Sequence, residues 1–385
     1  MKEVGILFLM SSISKVLVAA ISLALIRYID TAEFSEYILV FTYFNIFFQL
    51  VSGIVERLYI VEHDAYSKNQ TRYNLILAVS ILLIPCIYIF ATKDIQFLFL
   101  IVFLSCSSIF FQFKRIKLQK KEDFVGYASL EIKRNIIWSV IAFALIAYYR
   151  EGFYKYILYS YGIINLIMLY PLAGSKAPTS ESFATSIKYI FSKYYLILLS
   201  LLSGLFPYVV FLFISASNDK VLISSVGAAM RYQAILSMIV MSMNTIFLPK
   251  FASMFSHQDL LASKIWKQVT SALILSFVFI LCIYQVIPIV DHGRYPDTPL
   301  YFVLISIPTL ISLLGLPVVN RLLSNLKYKE LFESLLLGLG AALVFYISAV
   351  TLDFDKTESL FYSMIVAYLV NFILNARKYY AFFKQ

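Results

Sequence analysis

Residues 5–26 read GILFLMSSISKVLVAAISLALI, an apolar stretch long enough to cross a bilayer that carries a single charge, Lys15, in its interior. A rise of about 1.5 Å per residue places Lys15 near the middle of an apolar layer about 30 Å thick. A lysine at that depth costs about 2.5–3.5 kcal/mol to insert, so we expect it to face water or an anion rather than lipid. Ser11 and Ser22 fall on the same helical face and predict a polar stripe along this helix.

The composition of the whole chain agrees with this first stretch. Hydrophobic residues make up 61% of the 385 residues, charged residues 14%, and the mean hydropathy is +0.82, which excludes a soluble domain. Twelve apolar segments predict an all-α integral membrane protein with twelve transmembrane helices, at residues 4–26, 34–54, 73–92, 95–113, 132–149, 153–173, 194–215, 221–247, 267–290, 298–319, 331–352 and 359–376. The first segment is too long, and lacks the cleavage site, for a removable signal peptide.

The distribution of Lys and Arg predicts the orientation in the membrane. With the N-terminus inside, the segments assigned to the cytoplasm hold most of the 32 Lys and Arg residues. Both termini of this multi-pass protein are therefore predicted to lie in the cytoplasm. Basic inner loops facing anionic lipid account for most of the net charge of +10, so the charge does not indicate a nucleic-acid partner.

The second segment carries a polar face at helical spacing over about four turns. It consists of Thr42, Asn45, Gln49, Ser52 and Glu56. Two interpretations stay open, because such residues form hydrogen bonds between membrane helices and also line water-filled cavities. Arg57 follows at the cytoplasmic mouth, where it either anchors the topology or contacts substrate.

The region around residue 114 is interpreted as structural. The segments at 73–92 and 95–113 are apolar and are predicted to pack as a hairpin. Residues 114–135, KRIKLQKKEDFVGYASLEIKRN, are the most basic part of the chain and are predicted to form an inner loop with an amphipathic stretch on the membrane surface. We assign this loop to topology and lipid contact.

A polar gap at residues 174–193 divides the chain into two predicted six-helix halves, residues 1–180 and residues 181–385. The inner loop at 320–332 resembles residues 115–124, which supports a parallel duplication. In the second half, Pro207 interrupts the seventh segment, because a proline removes a helical hydrogen bond and bends the helix. A kink is predicted there, and a moving hinge is a hypothesis.

Arg231 lies ten residues into the eighth segment, about 15 Å deep and so near the depth of Lys15. The simplest structural interpretation is that Arg231 forms an ion pair with an acidic residue of its own helical bundle. No acidic residue lies at mid-depth in the twelve assigned segments, which disfavours that pairing. Two cations at mid-depth, one in each half, would suit a diphosphate, which offers several negative charges and acceptor oxygens.

Two short patterns carry a family resemblance. Residues 23–40, LALIRYIDTAEFSEYILV, have an arginine that closes the first helix, a short turn and an aromatic residue before the second. The eighth helix has Asp219 at its start, then Val226-Gly227, Ala229-Met230-Arg231 and a closing Leu248-Pro249. These patterns resemble the multidrug, oligosaccharidyl-lipid and polysaccharide exporter superfamily, and within it the O-antigen and polysaccharide repeat-unit flippases.

This resemblance implies two six-helix lobes in a V-shaped alternating-access transporter of the bacterial inner membrane. It implies a flippase that moves undecaprenyl-diphosphate-linked oligosaccharide to the outer leaflet, for O-antigen or another surface polysaccharide. Lys15 and Arg231 would hold the diphosphate, Arg57 would admit it, and Ser11, Ser22, Thr42, Asn45, Gln49 and Ser52 would line the cavity. The partners would be the polyprenyl-diphosphate-linked oligosaccharide, membrane lipid, a polysaccharide polymerase and a chain-length regulator.

Two alternative functions are weighed. A multidrug or cation antiporter of the same fold normally needs buried carboxylates, and none is found at mid-depth in the sequence. A membrane enzyme would need a large loop with acids, bases or metal ligands, whereas His63, His257 and His292 lie in separate loops. The chain is therefore predicted not to be an enzyme and to need no cofactor or metal. The three cysteines fall in apolar segments without metal-ligand spacing.

Overall fold

The computed structural model describes residues 2–61, 97–148, 152–169, 188, 191–192, 194–217, 219–253 and 259–383. Every regular element in these ranges is a helix, which confirms the predicted all-α fold class. The reason is the apolar surroundings, since a segment inside a bilayer must satisfy its backbone N–H and C=O groups within itself, as an α-helix does.

The described residues form twelve α-helices, numbered here in chain order. The bounds are α1 Lys2–Tyr28, α2 Thr31–Val61, α3 Leu98–Lys120, α4 Phe124–Tyr148, α5 Phe153–Ile167, α6 Tyr194–Leu205, α7 Val209–Ser215, α8 Lys220–Ser253, α9 Asp259–Val290, α10 Thr298–Ser324, α11 Tyr328–Thr351 and α12 Lys356–Phe383. The helices α6 and α7 are two parts of one predicted segment, joined by a 3₁₀ turn at Phe206–Tyr208.

These helices agree with the predicted apolar segments. Each segment falls on a described helix except 73–92, which lies outside the described residues. Eight helical spans in the described part of the chain are long and apolar enough to cross a membrane. The chain is therefore a multi-pass membrane protein, as predicted. The predicted boundary between residues 180 and 181 lies outside the described residues.

The helices form two compact units, and the first contains Met1–Ile21 and Tyr28–Tyr208. In this unit α2 packs against α3 and α6, and α5 packs against both α3 and α4. Its largest fully buried side chains are Phe34, Tyr37, Phe47, Phe111, Trp138, Phe153 and Tyr154. Aromatic side chains of this size supply much of the contact area that holds helices together where lipid gives no hydrophobic driving force.

The second unit contains Ser22–Arg27 and Val209–Gln385. Helix α10 is its centre and packs against α8, α9 and α12, while α11 packs on α12. The helices α11 and α12 approach closely at Gly338, where a Cβ atom would lie 2.6 Å from the backbone oxygen of Ala367. In contrast α9 leaves large apolar side chains such as Ile274 and Phe277 exposed, as expected of a helix that borders lipid.

The predicted kink at Pro207 is confirmed. Helix α6 ends at Leu205, the chain makes a 3₁₀ turn over Phe206–Tyr208, and α7 begins at Val209. Proline causes this because it has no N–H for the helical ladder and its ring collides with the preceding turn. That Pro207 also acts as a moving hinge stays a prediction.

The predicted surface loop at residues 114–135 is wrong. Helix α3 continues to Lys120 and α4 begins at Phe124, so only Lys121–Asp123 connect them. The fourth predicted segment, 95–113, is not purely apolar either, because α3 carries buried polar side chains along one face; the hairpin predicted with 73–92 lies outside the described residues. The physical reason is that Arg115 and Arg134, two of the positive charges in this region, lie on buried helix faces and not at the membrane surface.

Two helix–helix turns hold a non-glycine residue in the left-handed backbone region. Glu122 connects α3 to α4 with φ 56°, and Leu326 connects α10 to α11 with φ 58°. Each residue follows the last turn of a helix, where this conformation satisfies the free carbonyl groups but suits glycine best. A side chain there brings Cβ close to a carbonyl oxygen and costs about 1–2 kcal/mol.

Replacing Leu326 by glycine should therefore stabilise the protein. We expect Leu326→Gly to raise the free energy of unfolding by about 0.5–1 kcal/mol, since the side chain is half exposed and little packing is lost. Thermal melting in detergent measures the change. Leu326→Val is the matched control and should melt lower than the natural chain, because a β-branched residue fits this conformation worst. A glycine variant that melts below the natural chain would contradict the interpretation.

Candidate functional site

A polar stripe runs along one face of α3 in the first unit. Its members are spaced by three and four residues and are all buried; they are Ser105, Ser108, Gln112, Arg115 and Gln119. Helix α4 presents a matching stripe with Glu131, Arg134, Asn135, Trp138 and Ser139, also buried. Polar side chains on the inner face of a membrane helix are expensive to bury and require partners.

Arg115 and Glu131 form the central ion pair between the two stripes. A terminal nitrogen of Arg115 donates a hydrogen bond to Glu131 Oε2, and its other terminal nitrogen donates to Gln112 Oε1 at 3.1 Å. The guanidinium also lies over the ring of Tyr127, with Cζ 3.9 Å from the ring centroid. Because both side chains are at most a tenth exposed, each charge neutralises the other inside the bundle.

Arg134 lies one turn further along α4. Its Nε donates to Asn135 Oδ1 at 2.9 Å, and Nη1 makes a long contact of 3.5 Å with Asn165 Oδ1 on α5. Two rings flank the guanidinium, with Cζ 4.6 Å from the centroid of Phe111 and 4.9 Å from that of Tyr161. Among the described residues, the hydrogen bonds of Arg134 therefore go to amide oxygens and its ring contacts are to Phe111 and Tyr161.

Two asparagines connect this pair of stripes to the neighbouring helices. Asn135 Nδ2 donates to Ser14 Oγ at 2.7 Å and to the backbone oxygen of Ser14 on α1. Asn165 Nδ2 donates to Ser108 Oγ of α3 at 2.9 Å. We call the resulting set the polar cluster; it consists of Ser14, Ser108, Gln112, Arg115, Glu131, Arg134, Asn135 and Asn165. It joins α1, α3, α4 and α5 in the first unit.

Several residues predicted from the sequence cannot be compared with the polar cluster. The side chains of Ser11, Lys15 and Arg57 lie outside the described residues. Lys15 is the next residue in sequence after Ser14, whose backbone oxygen accepts a hydrogen bond from Asn135 of the polar cluster.

The polar face of α2 points into protein. Thr42 and Ser52 are buried, and Asn45 Nδ2 donates to the backbone oxygen of Phe41. Gln49 Nε2 donates at 3.0 Å to the hydroxyl of Tyr208, in the turn that follows α6. These contacts show hydrogen bonding along the helix and to a neighbouring element, which is one of the two interpretations left open for this face.

In the second unit Ser22 is buried and Arg231 is half-buried on α8. Two residues beyond Arg231, Gln233 donates to Thr309 of α10 at 2.6 Å. No group of three or more His, Cys, Asp or Glu side chains able to hold a metal ion occurs in the described part of the chain.

The sequence analysis missed the polar cluster because it assigned residues 114–135 to a loop. A usable signal was present: Glu131, Arg134, Asn135, Trp138 and Ser139 recur at the three- and four-residue spacing of a helix face. The polar face of α2, predicted from the sequence, has this same spacing. Extending the two helices into the basic region would have placed Arg115 and Glu131 on the polar faces of two consecutive helices.

A second buried carboxylate lies in the loop between α9 and α10 of the second unit. Asp291 follows α9 and is 4% exposed; its Oδ1 accepts a hydrogen bond from the N–H of Gly293, while Oδ2 is buried without a hydrogen-bond partner in the described residues. Burial raises the pKa of Asp291 above its ordinary value, against the smaller opposing effect of the Gly293 N–H. The charged form of Asp291 therefore costs stability at neutral pH.

Comparison with solved structures shows the fold. The chain is similar to a crystal structure of the eukaryotic MATE transporter AtDTX14, with 12% identity, a TM-score of 0.63, and coverage of 97% of this chain and 93% of that one. It is also similar to a MATE in complex with MaL6 (12% identity, TM-score 0.63, 100% and 97% covered) and to a mutant of the Vibrio cholerae MATE transporter VcmN (12% identity, TM-score 0.56, 99% and 97% covered). No protein-family model and no curated protein matches the sequence.

These structures overturn the recognition of the chain as an O-antigen flippase. The structural neighbours are MATE (multidrug and toxic compound extrusion) transporters, so the predicted function in polysaccharide and lipopolysaccharide biosynthesis is wrong. The predicted partners, a polyprenyl-linked oligosaccharide with a polymerase and chain-length regulator, are corrected with it. The neighbours are transporters, which agrees with the prediction that the chain is not an enzyme.

The physical reason for the error lies in the residues that carried the resemblance. Asp30 Oδ1 accepts the N–H of Glu33 and Asp219 Oδ1 accepts the N–H groups of Val221 and Leu222, so both acids cap helices. Helix caps serve the fold whatever is transported. The patterns therefore indicated the shared architecture, but they could not distinguish a polysaccharide flippase from a multidrug transporter of the same fold.

The ion pair of the polar cluster should couple strongly. We expect Arg115→Leu or Glu131→Leu alone to destabilise the protein by about 3–5 kcal/mol, because each leaves a buried charge unpaired, and the double variant to recover most of that loss. Unfolding free energies in mixed detergent measure the cycle. Lys329 and Glu333, 3.9 Å apart, are the control pair and should couple by less than about 1 kcal/mol, because Lys329 is exposed and Glu333 keeps its closer contact with Lys378 at 3.2 Å. Additive losses at Arg115 and Glu131 would contradict a buried pair.

Replacing Asp291 by asparagine should stabilise the protein at neutral pH. Asparagine keeps an oxygen for the Gly293 N–H and removes the buried charge. Because the folded-state pKa is raised, the natural chain gains stability as the pH falls through it, and the advantage of Asp291→Asn should shrink there. Thermal melting across acidic and neutral pH measures this. Asp297→Asn changes an exposed carboxylate of the same loop as a control; an advantage of Asp291→Asn that grows on acidification would refute the account.

Proposed function

We propose that the chain is a multidrug-type exporter that moves small organic molecules across the membrane, the alternative weighed in the sequence analysis. The main support is the fold, because the similarity to MATE transporters extends over 97–100% of the chain at a TM-score of 0.63. In this proposal the polar cluster belongs to the part of the first unit that substrate contacts during transport.

Buried carboxylates in the first unit also support this function. The sequence analysis found no carboxylate at mid-depth, yet Glu131 is buried in α4 and Glu36 is half-buried in α2. Glu36 accepts a hydrogen bond from the hydroxyl of Tyr154 on α5. Buried carboxylates are thus present in the described part of the first unit, although Arg115 neutralises Glu131 and that acid alone does not select cations.

The chemistry of the polar cluster also supports small organic molecules. Guanidinium, amide and carboxylate groups lie among the aromatic rings of Phe111, Tyr127, Trp138 and Tyr161. Binding sites for small ligands combine such apolar walls with a few polar groups. We further propose that Asn45 and Gln49 line the substrate path and that Pro207 acts as the hinge of the seventh predicted segment.

We propose the bacterial inner membrane as the location, with both termini in the cytoplasm. The orientation is supported by the excess of Lys and Arg in the segments assigned inside. The buried positions of Arg115 and Arg134 remove only two charges from that excess.

Expression in a bacterium that lacks its own drug exporters tests the proposal. We expect the chain to raise resistance to several unrelated compounds, and inverted vesicles to take up fluorescent substrates. The panel contains anionic, neutral and cationic compounds, so the result does not depend on the sign of the substrate charge.

Two matched variants connect export to the polar cluster. The double variant Arg115→Leu with Glu131→Leu removes the buried pair without leaving an unpaired charge, and should lower uptake by about tenfold or more, equivalent to about 1.4 kcal/mol. Lys329→Gln removes an exposed charge and should leave uptake unchanged. Absence of resistance and uptake for all three charge classes, with normal protein levels, would refute the proposed function.

A further inference from the structure

The two units contain the same helical hairpin. In the α3–α4 turn, Glu122 N donates to Gln119 O and Asp123 N to Leu118 O; in the α10–α11 turn, Leu326 N donates to Leu323 O and Lys327 N to Leu322 O. Every donor and acceptor of the first turn has a counterpart in the second turn 204 residues later, for example Glu122 and Leu326. These two residues also share the left-handed backbone conformation. The turn thereby fixes which residues of the two hairpins are equivalent.

The equivalent positions differ sharply in polarity. Arg115 corresponds to Val319 and Glu131 to Leu335, while Arg134 corresponds to Gly338, where α12 closely approaches α11. The second hairpin therefore packs with apolar or small residues at the positions that carry charge in the first. Because the same fold forms without these charges, the hairpin does not require them, and replacing buried ion pairs by apolar residues is often neutral or stabilising.

The charges of the polar cluster do not cancel. It contains two guanidinium groups and one carboxylate, and Arg115 makes the close contact with Glu131. Arg134 is 7% exposed, and among the described residues its hydrogen bonds go to the neutral amides of Asn135 and Asn165. A buried guanidinium without a carboxylate partner favours an anion, with which it can form paired charge-assisted hydrogen bonds.

We propose that Arg134 is a substrate-binding residue that anchors the anionic group of an aromatic organic acid, a carboxylate or sulfonate. This rests on the proposed function and assigns its substrate class. The acid group replaces the long contact to Asn165 with a charge-assisted bond, and the substrate ring packs among Phe111, Tyr161 and Trp138. Arg115 and Glu131 stay paired, so the bound anion brings the net charge of the polar cluster to zero.

The chain supplies its own reporter for this site. It has two tryptophans, and Trp138 stacks edge-on against Tyr161 at 4.9 Å, next to Arg134, whereas Trp266 is exposed on α9. In the full-length Trp266→Phe protein, the fluorescence of Trp138 alone reports ligands that carry a bromine quencher. The probes are para-bromobenzoate, para-bromobenzylamine and para-bromobenzyl alcohol, which share one ring and differ in charge.

We expect para-bromobenzoate to bind about tenfold tighter than the amine or the alcohol, the effect of one charge-assisted hydrogen bond. Arg134→Gln should weaken the acid by about tenfold and leave the alcohol unchanged, and Arg134→Lys should restore part of the preference because it restores the charge. Arg321→Gln removes an arginine of the second hairpin as the matched control. A melting temperature for each variant excludes unfolding as the cause.

Equal binding of the three probes, no binding of the acid, or a preference unaffected by Arg134→Gln would overturn the assignment. The export panel separates this result from the fate of the proposed function. Export restricted to cationic compounds would keep the transport function and overturn the anionic substrate class. Acid-selective quenching of Trp138 without export of any compound would overturn transport and support the binding site.

Discussion

Burying charge inside an apolar bundle is the constraint on which the described structure of the first unit depends. Arg115 and Glu131 are tolerated there because each neutralises the other, and Gln112 and the ring of Tyr127 complete the surroundings of the guanidinium. Removing one member would leave an uncompensated charge, which is why such pairs are energetically coupled. The neighbouring asparagines extend this arrangement to α1 and α5, so a single polar cluster holds four helices together.

The α3–α4 and α10–α11 hairpins have the same turn conformation but different buried side chains. Both units contain a helical hairpin closed by the same left-handed turn, with the second built from apolar and small residues. At Gly338 the absence of a side chain lets α12 approach, while its counterpart Arg134 occupies the corresponding space with a guanidinium between two rings. The helices pack closely in both hairpins, so the folding of the hairpin does not explain why the first one carries a buried arginine and the second a glycine.

The family resemblance failed at the level of function for a related reason. Its patterns contain Asp30 and Asp219, which cap helices, and the small residue Ala229, which is fully buried on α8. These residues build the architecture that the chain shares with MATE transporters. Residues that build a fold do not by themselves identify what it transports, so these patterns contain little information about function.

The sequence by itself determined the all-α membrane fold, the position of the helices and the break at Pro207, because hydrophobic length and proline chemistry act locally along the chain. The polar face of α2 was also readable, since helical spacing is a local property. Tertiary structure alone decided that Arg115 lies against Glu131 and that Arg134 meets Asn165, since these contacts join helices that are separate in sequence. Whether a basic residue faces the lipid headgroups or a buried carboxylate depends on the neighbouring helix, and no local pattern records that neighbour.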